Sequence, residues 1–149
     1  MFKNILVPIH LEYKKNHAKL LKGAFKLLDD EEGLISLLYV NENRAHSQIN
    51  ISLDDLVGKS NDDIVALNKL KEIAMEHSLP LDKISFNVKT GSVHQVVLDE
   101  ATNIKADAIV MMSSKPGISS YFISTTAERV IRHSDCSVFV IRLDKNKEN

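Results

Sequence analysis

The sequence predicts an α/β fold, a single doubly wound sandwich with helices on both faces of a five-stranded parallel sheet in the order 3-2-1-4-5. Its 149 residues are enough for one domain of common size. Apolar runs alternate with amphipathic helical patterns along the chain, as β-α-β-α-β-α-β-α-β. Most of the runs are apolar throughout, which is typical of parallel strands buried on both faces. Right-handed crossovers between such strands place helices on both sides of the sheet.

The first strand, first helix and second strand occupy the amino-terminal part of the chain. Residues 3–9 form a short run of β-forming residues that Pro8 stops near its end. Residues 17–30 carry apolar side chains at helical spacing, and Gly33 is expected to end that helix. Residues 34–40 are a continuous apolar run and predict a strand buried on both faces.

The middle of the chain begins with residues 41–61, which are polar and irregular and predict a long loop. Residues 62–78 have helical spacing, with Asn61 or Asp62 as the cap of that helix. Residues 84–90 alternate apolar and polar side chains, as expected for an edge strand with one wetter face.

The alternation then continues to the end of the domain. It predicts helix 93–104, strand 108–112, helix 124–133 and strand 137–142. Ser92 is the predicted cap of the helix that follows it. The domain is therefore expected to span residues 1–143, and residues 144–149 to form a charged, frayed tail.

Composition excludes several classes of function. With 19 basic and 20 acidic residues the net charge is −1, which is not the charge of a general nucleic-acid binder. The sequence predicts no membrane insertion, because no apolar run approaches the roughly 20 residues that cross a bilayer. It shows no signal peptide, so a cytoplasmic location is expected. Cys136 is the single cysteine, so neither an internal disulfide nor a zinc cluster is expected.

A ligand is expected where the strand order reverses, between strands 1 and 4, at the carboxyl ends of the strands. The loop after strand 4 is rich in hydroxyls and leads into a helix, a place suited to phosphate. The alternative is that these hydroxyls serve only as loop and cap residues. The candidate binding residues are Pro8, Ile9, His10, Val40, Met111, Met112, Ser113, Lys115, Ser124, Thr125 and Thr126.

Several motifs resemble the universal stress protein (UspA) family. They are Ile5-Leu6-Val7-Pro8-Ile9, Leu37-Leu38-Tyr39-Val40, Gly91-Ser92-Val93, Ala106-Asp107-Ala108-Ile109-Val110-Met111, Val130-Ile131-Arg132-His133-Ser134 and Val138-Phe139-Val140-Ile141-Arg142. The resemblance covers residues 2–142, and residues 115–120 look most like the UspF/UspG-like branch. It implies an adenine nucleotide alpha hydrolase-like fold and a role in surviving stress.

Family members that bind ATP share the loop G-x2-G-x9-G-[ST] after strand 4, and this chain departs from it. The first glycine falls on Met112, the second near Lys115 or, with a shifted gap, on Gly117, and the third on Ser124. Thr125 fits the final position, but the interval is one residue shorter than the pattern. Without a bare backbone, we expect the Met112 side chain to fill part of a phosphate site, and Lys115 to offset this with charge.

The resemblance also bears on two positions outside that loop. Nucleotide-binding relatives usually end strand 1 in an aspartate that contacts the ligand, and this chain has His10 there. His10 is either a ligand contact or a partly exposed turn histidine. Val40 matches the position whose backbone meets the adenine, yet it also suits a simple core residue. These departures favour AMP or ADP over ATP, or weak binding.

Two further expectations concern catalysis and assembly. No HExxH or GxSxG motif is present, so we expect no enzyme activity. Strand 5 is apolar throughout and lies at the sheet edge, so it is expected to pair with a second copy in a homodimer, as the resemblance also implies. The pairing residues are Val138, Phe139, Val140 and Ile141.

Three functions follow as hypotheses. The first is a cytoplasmic, non-enzymatic, dimeric stress-response regulator that acts through an unknown protein partner, with weak or absent adenine nucleotide binding. The alternative is an ATP- or AMP-binding protein with slow ATP hydrolysis, in which Lys115 and Thr125 hold phosphate and Mg²⁺ accompanies the nucleotide as the only expected metal. The third is a regulatory module of a membrane transporter, for which no residue argues specifically.

Overall fold

The five strands form one parallel sheet in the order β3-β2-β1-β4-β5, which confirms the predicted fold. The computed structural model describes residues 1–42, 61–114 and 123–142. The strands are β1 (Asn4–Pro8), β2 (Leu34–Asn41), β3 (Ile84–Thr90), β4 (Ala108–Met112) and β5 (Ser137–Ile141). The helices are α1 (Lys14–Leu27), α2 (Asn61–Glu76), α3 (Val93–Asn103) and α4 (Thr125–His133), with a 3₁₀ turn over Leu81–Lys83.

Each face of the sheet packs against its own pair of helices because successive strand residues point to opposite sides. Ile5 and Val7 of β1 belong to a core formed with α1 and α2, whereas Leu6 between them belongs to a core formed with α3 and α4. All three side chains are fully buried. The central strand is therefore covered on both faces, as its continuous apolar sequence predicts.

Asp107 fixes the start of β1 beside the start of β4. Its Oδ2 accepts a hydrogen bond from the Lys3 amide at 2.8 Å and its Oδ1 accepts one from the Asn4 amide at 2.9 Å. Beyond this point the two strands pair only at Ile5 with Ala108 and at Leu6 with Ile109. Because both strands continue past these pairs, a crevice opens between their carboxyl ends.

The two outer strands differ in exposure. β3 is an edge strand, as predicted, and Ser85, Lys89 and Thr90 on it are exposed. Its Lys89 Nζ lies 3.5 Å from the buried carboxylate of Glu100 on α3, which ties this edge to the helix layer. β5 forms the opposite edge, and its four apolar residues are all partly exposed.

The first helix begins and ends three residues earlier than the sequence predicts, at Lys14 and Leu27. Leu28 already has an extended backbone, so Gly33 does not end the helix. Gly33 is instead required for a close approach, because a Cβ there would lie 2.3 Å from the Asp29 carbonyl oxygen.

The two predicted helix caps have different outcomes. Asn61 and Asp62 both lie within α2, so neither caps it. Ser92 occupies the cap position of α3, but its Oγ lies 3.0 Å from His94 Nδ1 and caps no backbone amide. Most of the predicted loop over residues 41–61 and the tail over residues 144–149 lie outside the described residues. In the part of the chain that the structure describes, no helix is long and apolar enough to cross a membrane.

Candidate functional site

A cavity of about 420 Å³ occupies the crevice between the carboxyl ends of β1 and β4. Its size falls within the range of small-molecule binding pockets. It lies where the strand order reverses, since β1 continues to β2 on one side and pairs with β4 on the other. Ligands of open parallel sheets bind at this point, so the topology and the cavity select the same place.

Nine of the eleven residues proposed from sequence line this cavity. They are Pro8, Ile9, His10, Val40, Met111, Met112, Ser124, Thr125 and Thr126. Ser113 is fully buried at the end of β4 and does not line it. Lys115, with residues 115–122 around it, lies outside the described residues. The sequence thus predicts where these residues meet, while their role toward a ligand stays a prediction.

One wall of the cavity is the junction between β4 and α4. The Ser124 amide donates to the Ser113 carbonyl at 2.7 Å, and the Ser113 amide donates to the Ile141 carbonyl at 2.8 Å, so this junction is fixed to β5. Ser124 caps α4, since its Oγ accepts a hydrogen bond from the Ala127 amide at 3.1 Å. The cap reading of Ser124 is therefore correct, and one helix-end amide is already satisfied.

Two amides and one hydroxyl of residues that line the cavity at this wall have no partner among the described residues, and neither does the hydroxyl of the buried Ser113, which does not line it. The amides are those of Thr125 and Thr126 in the first turn of α4. The hydroxyl is that of Ser114, which lines the cavity although the residue is only 4% exposed. Donors converging at a helix amino terminus form a site for an anionic group, which the helix dipole also favours.

The opposite wall is the junction between β1 and α1. The exposed ring of His10 makes an edge contact with the Tyr13 ring, with centroids 5.3 Å apart. His17 lies one turn into α1, is 2% exposed, and its Nε2 donates to the His10 carbonyl oxygen at 2.6 Å. Burial holds the pKa of His17 below its usual 6.5, mainly because desolvation disfavours the charged ring. Burial therefore favours the neutral form of the His17 ring at this wall.

The two methionines at the end of β4 face different cores. Met111 packs with α3 and α4, and Met112 packs with α1 and α2. Met112 thus enters the cavity from the α1 side, across the sheet from the amino terminus of α4. This geometry argues against the expectation that Met112 fills a phosphate site at α4.

Sequence reasoning missed most of the α1 wall and parts of the rim. The additional lining residues are Tyr13, Asn16, His17, Leu20, Leu38, Glu42, Val93, Ser114 and Ile123. Tyr13 and Asn16 were missed because the predicted start of α1 is three residues too late, which leaves the true start of the helix outside the site. His17 and Leu20 lie within the predicted helix, and nothing in the sequence marks them as facing a ligand. The signal available was the position of the helix start directly after β1, at the carboxyl edge of the sheet.

A second, larger cavity of about 630 Å³ runs between α3 and α4 toward the amino ends of β4 and β5. It is lined by charged and polar side chains such as Asp99, Lys105 and Arg129, all of which are exposed. It lies away from the strand ends where ligands of this architecture bind. No group of three or more potential metal ligands occurs in the described residues, at either cavity.

Comparison with known proteins gives relatives along the whole chain. A family model described as "Universal stress protein family" matches residues 1–142. The proteins called Universal stress protein G from Salmonella typhimurium and Escherichia coli O157:H7 are 26% and 27% identical over 144 residues, 95% of this chain and 100% of theirs. The sequence resemblance to this family is confirmed.

Solved structures share the fold. The protein MJ0577 superimposes with a TM-score of 0.75 at 22% identity, over 97% of this chain and 98% of that one. A universal stress protein in complex with cAMP gives 0.62 at 12% identity, over 94% and 96% of the two chains. A universal stress protein from Archaeoglobus fulgidus in complex with dAMP gives 0.59 at 12% identity, over 93% and 97%.

Proposed function

Because the chain belongs to the universal stress protein family, we propose that it is a cytoplasmic stress-response regulator that acts by binding rather than by catalysis. It binds an adenine nucleotide weakly in the cavity between β1 and β4, and it associates with a second copy of itself through β5. Binding of the nucleotide or of a protein partner, rather than turnover, is the proposed output.

The observation that carries the nucleotide proposal is the convergence of nine sequence-predicted residues on one cavity at the strand reversal. Two structural neighbours are universal stress proteins in complex with cAMP and with dAMP, and each of these ligands carries adenine and a single phosphate. In the proposed complex, the amino terminus of α4 receives the phosphate through the Thr125 and Thr126 amides and the Ser114 hydroxyl. The purine lies toward Val40.

Charge supports a monophosphate over a triphosphate. The described residues that line the cavity include no lysine or arginine, and Glu42 adds a negative charge at the rim. A helix amino terminus carries about half a unit of positive charge. That charge favours binding of one phosphate but compensates little of the negative charge of three. The Ala127 amide is taken by Ser124, which removes one donor from the phosphate. Weak binding of AMP follows.

Isothermal titration with AMP, ATP and ATP–Mg²⁺ tests this proposal, together with mass analysis of any nucleotide released from the purified protein. We expect AMP to bind in the micromolar-to-millimolar range and more tightly than ATP, with no phosphate released from ATP. Phosphate release above the buffer background would favour the ATP-hydrolysing alternative. The absence of heat for every nucleotide, with none co-purified, would refute the nucleotide proposal.

The dimer proposal stands on the exposed edge of β5. An apolar edge strand with unpaired backbone groups invites pairing with another chain. Phe139 and Ile141 are partly engaged in the core with α1 and α2, and the Phe139 ring contacts that of Phe2 at 5.4 Å between centroids. Val140 belongs to neither core and is partly exposed, so it is the residue to change.

Light scattering coupled to size exclusion tests the dimer with Val140→Lys. The wild type is expected to be a dimer at micromolar concentration, and Val140→Lys to be a monomer, because the new charge would be buried without a partner. Ile64→Lys is the matched control, since Ile64 is 47% exposed on α2, away from β5. A monomeric wild type would refute the dimer proposal and leave the nucleotide proposal intact.

A further inference from the structure

His17 is a polar side chain enclosed at the bottom of the α1 wall. It is only 2% exposed, yet it lines the cavity beside the apolar side chains of Ile9, Leu20 and Met112. Buried polar groups in proteins almost always have hydrogen-bond partners, because leaving one unpaired costs free energy. Each nitrogen of this ring therefore needs to be accounted for.

The first nitrogen, Nε2, is accounted for by the His10 carbonyl oxygen at 2.6 Å. A carbonyl oxygen only accepts, so Nε2 carries the hydrogen and donates it. Since burial lowers the pKa of this ring below 6.5, the ring is neutral at pH 7. A neutral imidazole with its hydrogen on Nε2 has a lone pair on Nδ1, which is then a hydrogen-bond acceptor.

The second nitrogen, Nδ1, has no partner among the described residues. Because the residue lines the cavity, the small accessible part of its ring faces that space. An acceptor that faces the cavity and has no protein partner is satisfied by water or by a donor on the bound molecule.

We propose that His17 contacts the ligand directly, with Nδ1 accepting a hydrogen bond from a hydroxyl or amino group of the bound nucleotide. The inference rests on the proposed nucleotide function and deepens it, since it names a contact that selects among nucleotides. Two groups of AMP supply such a donor, the ribose hydroxyls and the exocyclic amine of the purine. The effect of His17 on affinity is therefore expected to depend on this donor group of the ligand and not on the phosphate.

The test measures the affinities of the wild type and of His17→Leu for AMP and for three analogues, each lacking one donor. These are 2′-deoxy-AMP, 3′-deoxy-AMP and purine riboside monophosphate, which lacks the amine. Loss of one hydrogen bond is expected to weaken AMP binding between about twofold and tenfold in His17→Leu. The analogue without the relevant donor is expected to bind both proteins equally, which also identifies the donor.

Two further variants distinguish the loss of a ligand contact at His17 from an effect on folding. His17→Gln keeps both a donor for the His10 carbonyl and an acceptor, so it is expected to recover most of the AMP affinity. His94→Leu, at a half-buried histidine outside this cavity, is the matched control and is expected to leave all four affinities unchanged. Thermal unfolding of each variant verifies that it is folded, and His17→Gln carries the same comparison if His17→Leu does not fold.

The outcomes distinguish this inference from the proposed function. Binding of AMP by the wild type with equal weakening of AMP and all analogues in His17→Leu would mean that His17 is only structural, and would overturn the inference alone. The inference alone would also be overturned if His17→Gln bound AMP no better than His17→Leu. A wild type that binds no AMP would overturn the proposed function and this contact together.

Discussion

The helices at the two walls of the cavity differ in how their amino termini are capped. At α4, Ser124 caps the helix and Glu128 places an acidic residue in the first turn. At α1, Tyr13 occupies the cap position without a side-chain hydrogen bond, and the first turn has no acidic residue. The α4 wall therefore follows the local rules for starting a helix, whereas the α1 wall does not.

The difference shows what holds each wall in place. The α4 junction is set by contacts within a few residues, through Ser124 and Ala127, and by backbone bonds to Ser113. The α1 junction depends on a buried histidine that reaches seven residues back to the His10 carbonyl. We infer that the α4 wall donates hydrogen bonds to the phosphate, and that the α1 wall contacts the ribose or the purine.

The largest expected effect is at the α4 wall, with Thr125→Pro. Proline removes one amide donor but suits the first position of a helix, and Ser124 already has the extended backbone (φ −61°, ψ 156°) that a following proline requires. Loss of a hydrogen bond to a charged phosphate is expected to weaken AMP binding about 10- to 100-fold by titration. Thr125→Val, which keeps the amide, is the control.

Adenosine, which has no phosphate, separates this effect from a general disturbance of the cavity. Its affinity is expected to be the same for the wild type and Thr125→Pro. Equal weakening of adenosine and AMP would show that the proline disturbs the wall rather than removing a phosphate contact.

The next effect concerns stability at the same helix. Ser124→Ala removes the cap of α4 and is expected to lower the free energy of unfolding by about 1 kcal/mol. Urea unfolding followed by circular dichroism measures it. Ser124→Gly should cost only a few tenths of a kcal/mol, because glycine is a good cap residue. A loss of stability that is larger for glycine than for alanine would contradict the capping role.

A pH dependence is expected from the α1 wall. Because burial lowers the pKa of His17 below 6.5, the unfolded chain binds more protons than the folded protein as the pH falls below 6.5. The contribution of His17 to stability is thus intact above pH 6.5 and is lost as the pH falls through its folded pKa. In urea unfolding between pH 5 and pH 8, the free energy of unfolding should fall less toward acid pH for His17→Gln than for the wild type. Parallel curves would contradict this assignment.

The smallest effect is expected at α3, as a counterpart to Ser124. Ser92 also occupies a cap position, but its hydroxyl contacts the His94 ring and caps no amide. Ser92→Ala is therefore expected to change the free energy of unfolding by only a few tenths of a kcal/mol in the urea assay used for Ser124→Ala. A loss comparable to that of Ser124→Ala would show that the Ser92 hydroxyl caps α3 in solution.

The sequence predicts the strands well because each buried run, such as Leu34–Asn41, is continuous and bounded by turn residues. It also predicts the α4 wall, because a serine cap before an amphipathic helix is a local pattern. It does not predict the α1 wall. The start of α1 has no cap signal at Tyr13, and the bond from His17 to His10 depends on how the chain folds back over β1.

Amide chemical shifts during a titration with AMP test whether the cavity between these two walls is the ligand site. We expect the chemical shifts to change on both walls, at the amides of Ser114, Thr125, Thr126, Tyr13 and His17. The chemical shifts of the amides of Leu98, Thr102 and Cys136, in the groove between α3 and α4, are expected not to change. Changes confined to that groove, or no change at saturating AMP, would contradict this location of the site.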